Sequence, residues 1–150
     1  MIIIRLWHTS LIPVLPREQL VSQWREISAC AGAIQTKGTP NHILVNFILD
    51  YDYDHFISYA YYVRKEMTKR GYRTMSNVWS KIITLKPNYN LIPLEEVYKE
   101  KMDTTYLIIC YWNLMEKHLC GGISDIDIHN IQNCLTQNMT NKLDKVITYD

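Results

Sequence analysis

The run Pro16-Arg17-Glu18-Gln19-Leu20-Val21-Ser22-Gln23-Trp24-Arg25-Glu26-Ile27-Ser28-Ala29-Cys30-Ala31 reads as an amphipathic α-helix. Proline suits the first helical position, where its missing N–H would have had no partner anyway. Leu20, Trp24, Ile27 and Ala31 recur at i, i+4, i+7 and i+11, which aligns them as one buried stripe. Gln19, Ser22, Gln23, Glu26 and Cys30 fall on a different, mostly polar face, so the pattern points Glu26 toward water or a groove. Gly32 is the natural stop.

Working outward, the segment Gln35–Pro40 reads as a loop, and Ile43–Leu49 stays open between a short strand and a helical turn. A second helix is expected from about Asp54 to Arg70, with Phe56, Tyr59, Ala60, Val63 and Met67 inward and Gly71 as its end. Acids at its start and Lys69 with Arg70 at its end match the helix dipole. Asp50, Asp52 and Asp54 read as capping residues, because the glycine and the twelfth-position acid of a calcium loop are missing. Lys65, Lys69 and Arg73 recur every four residues and so would share one edge. Residues 74–93 read as mostly irregular. A third helical region is expected over Leu94–Lys101 and Thr104–Leu119. Its 107–119 part is apolar nearly all round, which predicts a place in the centre of the bundle. Cys120-Gly121-Gly122 breaks it, and Ser124 with Asp127 resembles a capping box opening a last helix over about Asp125–Leu143, with Ile128, Ile131 and Leu135 inward. The expected fold is all-α: one compact domain over 1–150, a bundle of three main helices plus a C-terminal helix, with no repeat or linker to divide it.

Composition agrees with a globular chain. Hydrophobic residues make up 47% of the 150, enough for a core without cross-links. Eleven tyrosines and four tryptophans stand against two phenylalanines, so many rings carry a polar tip suited to a core rim or a groove. The apolar start is too short for a signal peptide, and no run approaches the ~18 residues of a membrane span, so an intracellular protein without a membrane partner is expected. Cys30, Cys110, Cys120 and Cys134 are irregularly spaced and read as free thiols. His118, Cys120, His129 and Cys134 match no zinc spacing, and no metal is expected. Net charge is +1, but it is unevenly spread. Residues 1–90 carry eleven Lys/Arg against six Asp/Glu, a balance of +5, and residues 91–150 carry five against nine, a balance of −4. A polyanion is drawn to the front of the chain.

The string Arg5-Leu6-Trp7-His8, then Leu11-Ile12-Pro13, Leu15-Pro16-Arg17, Gln19-Leu20 and Arg25-Glu26, resembles the pyrimidine-dimer DNA glycosylases, relatives of the phage ultraviolet-repair endonuclease. His42-Ile43-Leu44-Val45-Asn46-Phe47 and Glu66-Met67-Thr68-Lys69-Arg70-Gly71-Tyr72 continue it in order, over about residues 4–80. The resemblance implies a compact helical fold, duplex DNA as partner, excision of a damaged pyrimidine, nicking at the abasic site, and no metal or organic cofactor. It implies a terminal α-amine as nucleophile, here that of Met1, with Glu26 as the key acid and Arg5 and Arg25 on the DNA near the lesion. His8, Lys65, Lys69 and Arg73 are further candidate nucleic-acid contacts.

The residue types suit that chemistry. An α-amine has a pKa near 7.7–8.0, against about 10.4 for lysine, so a useful fraction is nucleophilic at neutral pH. A sugar losing its base develops positive charge that a carboxylate such as Glu26 stabilises. Arginine grips a phosphate in bidentate fashion, which lysine cannot do. Two features depart from the family pattern. Ile2, Ile3 and Ile4 stand between Met1 and Arg5, where the phage enzyme has its amine directly before the arginine, and the arginine expected one turn after Glu26 is Ala29 or Cys30 here. The alternative reading is therefore a non-catalytic nucleic-acid-binding or packaging protein on the same scaffold. An interaction protein using the acidic C-terminal third is a third reading.

Overall fold

The computed structural model describes residues 5–148, with side chains described through residue 142. Among the described residues there are five α-helices and no strand: α1 (Arg17–Lys37), α2 (Tyr53–Lys69), α3 (Ser76–Ile83), α4 (Thr104–Leu119) and α5 (Asp125–Thr148), with 3-10 turns at Thr9–Val14, Asn46–Asp50 and Leu94–Glu96. The fold is all-α, as the periodicities require. None of these helices is long and apolar enough to cross a membrane.

Helix α1 starts where expected, with the Pro16 carbonyl accepting the Leu20 N–H at 3.0 Å. It does not stop at Gly32. A glycine inside a helix costs only about 1 kcal/mol, and the buried stripe continues through Ile34. The turn comes at Gly38, which sits at φ +74° and closes the helix through its N–H to the Ile34 carbonyl. Gly32 serves packing instead: a Cβ there would lie 2.9 Å from the Lys81 ammonium of α3.

The centre of the bundle is α2, not α4. Phe56, Ile57, Ser58, Tyr59, Ala60, Val63 and Met67 are all buried, and the Asp52 side chain caps the helix by accepting from the Asp54 N–H at 2.8 Å. Along α4 only Leu107, Cys110 and Leu114 are buried. Ile108, Ile109, Trp112 and Leu119 face outward, with Trp112 60% exposed. An all-apolar helix does not state which of its faces finds a partner; among the described residues α4 finds α5 and the N-terminal segment on one side and leaves the other exposed.

Two further expectations are corrected. Residues 74–93 contain α3, an eight-residue helix tied to its neighbours by tertiary contacts: Tyr53 Oη donates to the Ile82 carbonyl at 2.8 Å, and Gln35 Nε2 to the Lys81 carbonyl at 2.5 Å. The segment 94–101 is only one 3-10 turn followed by irregular backbone. Tyr98 breaks it at φ +50°, because its fully buried ring stacks 5.3 Å from His55 and edges onto Tyr51 and Phe47. Its N–H donates to His55 Nδ1 at 3.1 Å. At 43–50 the open choice resolves as a turn and a 3-10 segment. Helix α5 opens with the Asp127 N–H on Ser124 Oγ at 3.2 Å and runs on to Thr148.

The N-terminal segment is the core's other organiser. Leu6, Trp7, His8, Leu11, Ile12 and Leu15 are buried between α2 on one side and α4 and α5 on the other. Arg70 at the end of α2 donates to the Leu15 carbonyl at 2.7 Å and the Pro13 carbonyl at 3.0 Å, holding the turn before α1.

Candidate active site

The segment entering the core exposes backbone polar groups that must find partners, and these define the site. The Tyr59 hydroxyl of α2 donates to the Trp7 carbonyl at 2.6 Å. From α4, Tyr106 donates to the Leu6 carbonyl. The remaining groups meet at Gln23, which is fully buried although the periodicity placed it on a polar face. Its Oε1 accepts the Trp7 N–H at 2.8 Å, and its Nε2 donates to the Arg5 carbonyl at 2.8 Å and to Glu26 Oε2 at 3.2 Å. Cys30, from the same supposed polar face, is buried as well. The polar row of α1 is thus split: Gln23 and Glu26 meet the entering segment, Cys30 is buried, and the Ser22–Arg25 side meets water.

Glu26 is half-buried. Loss of solvent is the largest influence on its carboxyl and pushes it up to about 7, against the opposing pull of the Arg5 N–H, the Arg5 guanidinium and the Lys117 ammonium. A carboxyl titrating there is divided between acid and base at neutral pH, as proton transfer requires. Burial also raises the neighbouring Cys30 thiol to about 12, with Glu26 adding to the shift, so this sulfur stays protonated and is no nucleophile. Arg5 lies over the Trp7 ring at 5.5 Å.

Of the candidates read from the sequence, Arg5 and Glu26 come together. Arg25, next in chain to Glu26, points to solvent and lines an open hollow of about 410 Å³ with Arg17, Glu18, Val21 and Ser22. Lys65 and Lys69 are exposed beside a second hollow, of about 420 Å³, shared with Tyr61, Arg64 and Thr68. Arg73 is exposed too, but α2 has ended at Lys69 and the chain turns at Gly71 (φ +81°), so the four-residue spacing does not carry the helical edge as far as Arg73. Arg17 packs over the Tyr72 ring at 5.0 Å, joining the start of α1 to the chain leaving α2. His8 is buried; Nδ1 accepts the Ser10 N–H at 3.1 Å and Nε2 lies 3.0 Å from the Met102 carbonyl. As folded, it has no free ring nitrogen for a DNA contact. Met1 lies outside the described residues.

Sequence reasoning missed Gln23, Tyr59, Tyr106 and Lys117. A glutamine three residues before a helical glutamate shares its face, which was a usable signal for Gln23. The tyrosines and Lys117 carry no local signal, since chain distances of 36 to 100 residues separate the tyrosines from their hydrogen-bond partners and Lys117 from the carboxyl its charge acts on. All four cysteines are free, and no group of three or more metal-ligating side chains gathers among the described residues.

The family model for pyrimidine dimer DNA glycosylase aligns with residues 4–80. No curated protein and no solved structure matches the chain. The aligned stretch holds Arg5, Gln23, Glu26 and Tyr59, while Tyr106 and Lys117 lie beyond it. With just over half of the chain matched, and Arg5, Gln23 and Glu26 inside the match, this protein belongs to the pyrimidine dimer DNA glycosylase family.

Proposed function

We propose that the protein is a DNA repair N-glycosylase that also cleaves the abasic site it creates, acting on pyrimidine-dimer-type lesions in duplex DNA without a cofactor. The observation that carries this reading is Glu26: a carboxyl raised to about 7 beside Arg5, in the matched segment of a glycosylase family. The α-amine of the chain's first residue, Met1, attacks C1′ of the damaged nucleoside. The N–C1′ bond forms as the glycosidic bond breaks, and the base leaves with the bonding pair and takes up a proton. The sugar ring opens to an imine. Glu26 stabilises the positive sugar and moves protons between base, amine and sugar. Arg5 holds DNA close to the lesion, and Arg25, Lys65, Lys69 and Arg73 hold phosphates farther out. A damaged pair costs less to open than an intact one, which supplies part of the selectivity.

The test is borohydride trapping on a duplex with one abasic site. A covalent adduct is expected, and mass spectrometry should map it to the first residue. No adduct with DNA saturated by protein removes the lyase step. On a duplex with one pyrimidine dimer, Glu26→Gln should lose on the order of 10²-fold or more in excision rate while still binding. Salt-sensitive binding with no lesion preference, unchanged in Glu26→Gln, would instead select the non-catalytic nucleic-acid-binding or packaging reading.

A further inference from the structure

We infer that Gln23 is a positioning residue for Glu26, one amide that locks the carboxyl and the Arg5–Trp7 backbone into a single register. It rests on the reading of Glu26 given above. A fully buried glutamine is uncommon and is costly unless every polar atom is paired. Here the pairing is complete. The two Nε2 hydrogens go to the Arg5 carbonyl (2.8 Å) and Glu26 Oε2 (3.2 Å), and Oε1 takes the Trp7 N–H (2.8 Å) and, at 2.9 Å, shares with the Trp7 carbonyl the single hydrogen of the Tyr59 hydroxyl. An amide has no further hydrogen-bonding capacity.

The arrangement has a direction. The Trp7 N–H can only donate and the Arg5 carbonyl can only accept, so a flipped amide would lose both bonds, and the fully buried Tyr59 hydroxyl backs the Oε1 end from the central helix. The Nε2 end then faces the two groups the chemistry needs together: the carboxyl, and the backbone from which the chain runs on to its terminal amine. Leucine or methionine would fill the same volume on a buried helix face, but neither would orient the carboxyl. The charged and titratable groups around Glu26 are Arg5 from the entering segment, Cys30 on α1, Tyr59 on α2 and Lys117 on α4. Each of them keeps its chemical identity in a Gln23 variant, and Gln23→Glu adds one further carboxyl.

The experiment reads Glu26 directly, by carboxyl-carbon NMR titration of wild type, Gln23→Met, Gln23→Glu and Tyr59→Phe, each checked for a cooperative thermal transition. Removing an N–H donated to a carboxylate disfavours its charged form, so the Glu26 midpoint should rise by about one pH unit in Gln23→Met and further in Gln23→Glu. Tyr59→Phe, which leaves Gln23 in place, should give a smaller rise. The acid–base limb of kcat on dimer-containing duplex should move with the midpoint, with kcat lowered about tenfold and KM within twofold. A merely structural glutamine would lower stability and leave both midpoint and limb unmoved. That result in whichever Gln23 variant folds, or in Tyr59→Phe if neither does, overturns the inference. If Glu26→Gln excises dimers at the wild-type rate, the proposed function falls instead, whatever the titration shows.

Discussion

At Glu26 and His8 burial acts in opposite senses, and each leaves its own mark on stability. The folded Glu26 carboxyl titrates at about 7, and an unfolded glutamate near 4.3. Between those values the folded chain keeps a proton that the unfolded chain has released. This contribution is fully present below about pH 4.3, is lost as pH rises to about 7, and is flat above. Glutamine has no such loss. The full shift would be worth ~3.7 kcal/mol, but the half-exposed carboxyl is screened by solvent, so the stability of Glu26→Gln relative to wild type should grow by on the order of 2 kcal/mol between pH 4 and pH 8, read from urea midpoints. His8 works the other way: burial, its largest influence, holds it below its usual value. The unfolded chain takes up the proton near 6.5, so stability falls as pH drops below that value. His8→Gln should abolish this acid slope, even where its plateau is lower; an unchanged slope would remove the neutral, doubly bonded His8 from the account.

At the scale of the element, caps and breakers were legible where they act locally and misleading where packing overrides them. Asp52 is a cap by sequence and by structure. It also pairs with Lys86 at 2.8 Å, and the same ammonium reaches Asp54 at 3.0 Å, so the segment after α3 is fastened to the start of α2. Asp52→Ala should cost about 1 kcal/mol, nearly all of it from the cap, since the exposed ion pair adds little. Lys86→Ala in that background should lower the thermal midpoint further, because it also takes the cation away from the buried Asp54 carboxylate. Gly32 and Tyr98 teach the opposite lesson. The helix runs through the glycine because its buried stripe continues to Ile34 and Lys81 packs over the gap. The expected helix fails at Tyr98 because burying its ring against His55, Tyr51 and Phe47 outweighs a positive φ at a non-glycine residue.

Over the whole molecule, the matched segment 4–80 is not a unit by itself. Leu6, Trp7 and Leu11 are buried partly beneath α4 and α5, and Ser10 bonds to Asn138 at 3.2 Å. The Ser10 carbonyl also accepts from the Cys134 thiol at 3.1 Å. A chain ending after Met102 loses the Tyr106 hydroxyl from the Leu6 carbonyl and uncovers that apolar surface. It should show no cooperative thermal transition by circular dichroism, and adding back a peptide of residues 103–150 should restore one. A truncated chain that melts cooperatively without the peptide would show that α4 and α5 are dispensable.

Much of this protein follows from local pattern. The all-α class, the stripes of α1 and α2, the Asp52 and Ser124 caps and the pairing of Arg5 with Glu26 rest on spacing along one helix or on residues quoted in order, and both are visible in a linear chain. Which face of an apolar helix is covered, where a short helix such as α3 forms, and how Gln23, Tyr59 and Tyr106 gather around the entering segment depend on residues 29 to 100 positions apart. Those contacts exist only once the chain has closed on itself, because burial and hydrogen-bond pairing are properties of what surrounds a residue and not of its neighbours in sequence.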